Sequence, residues 1–213
     1  MVKIDIVADI VCPWCFIGKR RLETAVARVR TLYPEFSYQT NWRPFFLNPD
    51  TPPEGEPYLP FLEQKFGGKA PVEALFERVR QAGRDYGLDF AFEKISQRAN
   101  TLQAHRLLYW AQQQGNADTL AERLFVAQFQ RGEPVGELAT LVNIALECGY
   151  PATQVAAYLK SNEDAETVRE NERIIRQMGI RMVPTFILNN HQVIVGAEDP
   201  AVLAEVIIQA IAK

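Results

Sequence analysis

Asp9-Ile10-Val11-Cys12-Pro13-Trp14-Cys15 decides how the rest of the chain is read. An Ile/Val-rich run, Lys3 to Ala8, leads into it as a strand would, and a helix-like run, Phe16 to Arg30, leads out of it. Two of the three cysteines lie here, three positions apart, which on a helix puts both thiols on one face. Cys12 falls at the helix N-terminus, where free backbone N–H groups and the positive end of the dipole favour a thiolate and lower the cysteine pKa. Pro13 suits the first helical position because the N–H it lacks would have no partner there. Cys15, one turn inward, is placed to close a disulfide with Cys12. This is the layout of a dithiol redox site. A structural zinc site would need two further ligands, and Cys148, His105 and His191 are scattered, so no metal is expected. Two inert core thiols are the other reading, but the strand–Cys-x-x-Cys–helix order favours redox chemistry.

Composition sets the class. The 213 residues are 47% hydrophobic and 23% charged, as in ordinary globular proteins. A net charge of −3 gives no electrostatic reason to expect nucleic acid or an anionic membrane as partner. No apolar run reaches the roughly 18 residues that span a bilayer. Met1 leads directly into the first strand with no secretory signal pattern, so a cytoplasmic location is expected, where Cys-x-x-Cys pairs are catalytic more often than structural.

The chain divides into three blocks. After the first helix, with its apolar stripe Leu22, Ala25, Val26, Val29 and Leu32, the alternation Phe36, Tyr38, Thr40, Trp42 predicts a half-buried strand within Phe36–Phe46. Lys19, Arg20 and Arg21 read as that helix's solvated face. Pro49, Pro52, Pro53 and Gly55 then mark an exit. From Tyr58 to Ser161 apolar residues recur at helical spacing, as in Val72, Leu75, Phe76, Val79, without a convincing strand: five or six helices. The third block predicts a helix over Asp164–Met178, a hairpin of Val183–Leu188 with Gln192–Val195 around Asn189-Asn190, and a last helix begun by the Asp199-Pro200 cap and running to Ile211. His191 belongs at the hairpin tip, and Cys148 reads as a semi-buried thiol. The domain division is 1–50 with 164–213, interrupted by 51–163.

That order is an α/β, thioredoxin-like fold interrupted by an all-α insertion. The stretches Val11-Cys12-Pro13-Trp14-Cys15-Phe16-Ile17-Gly18-Lys19-Arg20, Trp42-Arg43-Pro44-Phe45, Asn100-Thr101-Leu102-Gln103-Ala104-His105-Arg106-Leu107 and Val183-Pro184-Thr185-Phe186 resemble the DsbA family of thiol–disulfide oxidoreductases, in its FrnE-like branch. The resemblance implies that Cys12 attacks and Cys15 resolves. It implies support from Pro13 and Trp14, and a cis Val183–Pro184 bond beside the sulfurs, with Val183 backbone groups pairing with substrate. Its partners would be disulfide-containing proteins or small thiols. No bound cofactor is implied, with glutathione as a co-substrate. Asn100 and His105 are candidates for a substrate groove, His105 also for a structural histidine bonded to a nearby loop. Asp9 reads as a turn-capping carboxylate or as a proton acceptor for Cys15.

Exported DsbA proteins carry a histidine between the cysteines, where this chain has Pro13-Trp14. The expected reduction potential therefore lies between roughly −270 and −180 mV and not near −120 mV. Kappa-class glutathione transferases and 2-hydroxychromene-2-carboxylate isomerases share the split fold and offer the alternative function, but typically have serine for the first cysteine.

Overall fold

The computed structural model describes residues 1–212. Its centre is a four-stranded sheet drawn from both ends of the chain: β1 (Val2–Ala8), β2 (Tyr38–Pro44), β5 (Thr185–Leu188) and β6 (Gln192–Val195), in the order β2-β1-β5-β6. β2 runs parallel to β1, while β5 and β6 run antiparallel to their neighbours. The register sets Ile4 against Leu188 and Ile6 against Phe186. These even positions of β1 and β5 enter the main core. Val7 and Ile187, on the other face, join Phe45, Ile175 and Ile180 in a smaller core. The sheet is thus buried on both faces, which the period-2 geometry of strands requires to be supplied by alternate residues. Pro44 ends β2, an edge strand, where a missing ladder donor is tolerated.

α1 (Pro13–Leu32) packs along α9 (Pro200–Ile211). α9 starts as its sequence indicates, with the Asp199 carboxylate accepting from Ala201 N at 2.7 Å and Pro200 in the first turn. α8 (Ala165–Gln177) packs against β2. Between β2 and α8 the chain forms α2 (Tyr58–Phe66), α3 (Lys69–Arg84), α4 (Leu102–Gln114), α5 (Asp118–Val126), α6 (Leu138–Glu147) and α7 (Ala152–Lys160). Two pieces here escape periodicity reading. One is a two-residue ribbon, β3 (Glu56–Pro57) with β4 (Gln97–Arg98). The other is a π-helical turn, Ala127–Arg131, continuing α5. Gly132 closes that turn at φ +68°, and a Cβ there would meet Lys94 O at 2.4 Å.

Polar groups lock the helices to the sheet. Asp118, in the first turn of α5, accepts from Thr40 Oγ1 and Trp42 Nε1 at 2.8 Å each. Arg106 is fully buried and donates to the carbonyls of Tyr158, Leu159 and Glu163, so each of its charged N–H groups there finds an acceptor. The reading of Lys19 as solvated is corrected: it is buried, and its ammonium meets Glu23 and, at 2.8 Å, Glu122 on α5. The aliphatic stem lies in the core, and the buried charge is compensated by two carboxylates.

Candidate active site

The turn after β1 is tied by Cys12 N donating to Asp9 O and Cys15 N donating to Cys12 O, both at 3.0 Å. Cys12 is the N-cap of α1, with extended backbone, and Pro13 follows at the first position. No side chain caps this terminus and its first turn holds no acidic residue. Its free N–H groups and dipole are therefore left to the Cys12 sulfur. Both cysteines are free thiols and both are buried, Cys15 the more deeply. Burial pushes the Cys15 thiol well above its usual value, and the adjacent Cys12 pushes the same way, against a smaller lowering by a hydrogen bond from the Asp9 backbone.

The loop before β5 arrives from the far end of the chain. Val183–Pro184 is a cis peptide, and the carbonyl of Val183 lies 3.8 Å from Cys12 Sγ. α1 comes close to Pro184 at Gly18, where a Cβ would stand 2.7 Å from Pro184 Cγ.

Asp9 is buried and does not cap the redox turn with its carboxylate. One oxygen accepts from Leu47 N at 2.8 Å, and the other lies 3.3 Å from His105 Nε2. His105 is itself buried, with Phe46 edge-on at 5.4 Å. So His105 is linked to the redox turn from behind, through Asp9. Asn100 donates to Thr51 O at 2.7 Å and accepts from Leu102 N at 3.1 Å, holding the approach to α4.

A cavity of about 320 Å³ opens beside Cys12, between the redox turn and α2 and α3. Cys12, Trp14 and Val183 line it, and Cys15 does not. Neither Asn100 nor His105 lines it, so the expectation of a shared groove fails for this cavity; Asn100 borders a separate depression with Leu102 and Gln103. The cavity wall includes two polar residues that sequence reasoning passed over, Arg98 of β4 and Gln128 of the π-helical turn. A glutamine inside the apolar run Phe125-Val126-Ala127-Gln128-Phe129 was the available signal for one; nothing local marks Arg98. Cys148 is half-buried, near Thr119 O at 3.9 Å, and His191 is exposed at the hairpin tip. Among the described residues there is no group of three or more His, Cys, Asp or Glu that could hold a metal. No helix among them is long and apolar enough to cross a membrane.

Comparison with known proteins agrees with this arrangement. A family model described as a DSBA-like thioredoxin domain matches residues 3–208. A solved structure of a probable DsbA oxidoreductase from Streptomyces coelicolor superposes with a TM-score of 0.90 at 27% identity, covering 100% of this chain and 91% of that one. The cytosolic disulfide reductase DsbM of Pseudomonas aeruginosa, solved with GSH, shares the fold at a TM-score of 0.70 and 15% identity, covering 99% and 100%. So does a 2-hydroxychromene-2-carboxylate isomerase, at 0.65 and 15%, covering 99% and 96%.

Proposed function

The chain belongs to the family of DSBA-like thioredoxin domains, and on that premise we propose that it exchanges thiols and disulfides through Cys12 and Cys15, Cys12 attacking and Cys15 resolving. One observation carries the assignment of roles: Cys12 lines the cavity, while Cys15 lies behind it, more deeply buried, with its thiol held protonated. The Cys12 thiolate attacks one sulfur of a substrate disulfide, forming a mixed disulfide and releasing the other sulfur as thiolate. Cys15 then gives up its proton and attacks Cys12 Sγ, releasing the second substrate thiolate. The enzyme dithiol is oxidised to a disulfide, and the substrate disulfide is reduced to two thiols. A low-molecular-weight thiol such as glutathione, two molecules per turn, restores the dithiol and leaves as its own disulfide. Val183 offers its backbone to the substrate beside the sulfur, and Pro13 and Trp14 shape the turn.

Burial, and then the neighbouring Cys12, hold the Cys15 thiol up, while Leu47 N–H and His105 fix the nearby Asp9 carboxylate in place. Cys15 therefore stays unreactive until a mixed disulfide stands in front of it.

The fold by itself does not separate the two activities, because the isomerase has it too; the two neighbouring thiols are what support exchange. In a Cys15→Ser protein, incubation with a disulfide substrate should trap the covalent adduct on Cys12, detected by intact mass, and Cys12→Ser should trap none. If both single variants keep wild-type dithiol turnover, this reading is wrong. Isomerisation in the presence of glutathione that survives Cys12→Ser would point to the isomerase-like activity.

A further inference from the structure

The cavity beside Cys12 has a composition of its own. Tyr58, Phe76, Phe92 and Phe90 form a continuous stack, with successive centroids 6.2, 4.2 and 5.4 Å apart and planes within 9° of parallel. The first three line the cavity together with Trp14 and Phe61. Such a wall receives a flat apolar body, packed against the exposed edges of the stacked rings.

Against this wall stand two buried polar side chains, Gln128 and Arg98. Gln128 is 2% exposed and lines the cavity. Arg98 is 7% exposed, lies 3.6 Å over the Phe61 ring and pairs with Glu56. Its Nε is buried and has no partner among the described residues. Buried polar groups are almost always paired, so the Arg98 Nε–H is the kind of donor a ligand satisfies. Lys65 adds a third donor at the rim, 3.1 Å from Asn48 Oδ1. Lys65 and Arg98 together outweigh the single carboxylate of Glu56, so the polar end of the cavity carries a net positive charge and suits an anion.

We infer that this cavity is a binding site for a small aromatic thiol or disulfide bearing a carboxylate: the ring lies on the Trp14, Phe76 and Phe92 wall, the carboxylate meets Arg98 and Gln128, and the sulfur faces Cys12. As a substrate class this rests on the exchange activity proposed above; as a binding site it does not. In the reaction the aryl disulfide takes two electrons from the Cys12–Cys15 dithiol. Two aryl thiols leave with the two protons, and the enzyme is left as its disulfide. Glutathione, with its polar body, has little to place on the aromatic wall and acts as the regenerating thiol.

The site is tested with a ligand that cannot exchange. The S-methyl ether of thiosalicylate is titrated calorimetrically into the Cys12→Ser/Cys15→Ser protein, alone and with Arg98→Met or Gln128→Met added. The methyl ester of the same ligand is the uncharged control. The carboxylate should bind the double serine protein and lose about tenfold in affinity with either added change, while the ester changes less than about twofold. Gln128→Met keeps side-chain length without touching an ion pair, so it decides the matter if Arg98→Met does not fold. No binding, or equal binding of acid and ester across all the folded proteins, overturns the site. In parallel, wild-type dithiol protein is given dithiodibenzoate. Carboxylate-dependent binding without reduction of this disulfide defeats the exchange reading and leaves the site standing. Reduction without carboxylate-dependent binding defeats the site and leaves exchange standing.

Discussion

Replacing Gly18 by alanine puts a methyl group where α1 crosses the loop before β5. That Cβ would lie 2.7 Å from Pro184 Cγ, with Pro184 Cβ and Phe186 Cζ at 3.3 Å. The nearest atom belongs to a closed ring that cannot rotate aside, and Phe186 is fully buried, so relief must come from the helix or the loop. Ordinary contact begins at 3.4 Å, so the gap must open by about 0.7 Å. Overpacking of this kind costs about 2–3 kcal/mol, the upper part of the usual range. Alanine in a helix interior returns about 1 kcal/mol relative to glycine. The net loss is about 1–2 kcal/mol, or about 2–8 °C in melting temperature for a chain of this size.

Function should suffer more than stability does. The displaced loop carries the Val183 carbonyl that lies 3.8 Å from Cys12 Sγ. A misplacement near 1 Å at a reacting centre costs up to about a hundredfold, so Gly18→Ala should slow disulfide reduction by about ten- to a hundredfold. Circular dichroism melts and an insulin-reduction assay measure the two effects. A variant that melts higher by the full helix-propensity gain and reduces insulin at the wild-type rate would refute the reasoning.

Lys19→Met should lower stability by about 1–3 kcal/mol in chemical denaturation. That is less than for a fully buried pair, because Glu122 keeps Arg20 as a partner and Glu23 is partly solvated. For pH, the native state raises the Cys15 thiol, so it keeps a proton that the unfolded chain has released. The resulting stability is full below about pH 8.5, the unfolded value, and is lost as pH climbs toward the raised native one. Melts of the dithiol form between pH 7 and 10 should therefore fall more steeply than those of Cys15→Ser; equal slopes would exclude the effect. Trp14→His sets an imidazole beside Cys12 and removes the indole that Arg78 covers at 5.6 Å. It should raise the reduction potential by tens of millivolts, about 30 mV for each 1.4 kcal/mol gained by the reduced form. Titration against glutathione reads the shift, and an unmoved potential would show that the inter-cysteine residue does not set the poise.

What the sequence disclosed, and what it hid, follows the range of the interactions concerned. The redox turn, the hairpin with its Asn189-Asn190 tip and the Asp199-Pro200 helix start are written in adjacent residues. Their signals are local, and the elements stand within a few residues of where those signals place them. Lys19 was misread because its second partner, Glu122, arrives from α5, and no window along α1 contains it. His105 does bond to a loop, as a structural histidine would, but its partner there, Asp9, lies 96 positions earlier in the chain and no local window names it. Arg98 and Gln128 sit on a two-residue ribbon and a π-helical turn, pieces too short to have a period.

The same difference of range separates reaction from selectivity. The proposed nucleophile, Cys12, sits in a seven-residue motif that any window can detect. The wall facing it is assembled from residues between Tyr58 and Gln128, brought together only by tertiary packing. Changes in that wall can therefore alter which molecule reaches Cys12 without touching the strand, turn and helix that present its sulfur. A family resemblance carried by the turn accordingly speaks to the chemistry, and the ligand must be read from the cavity.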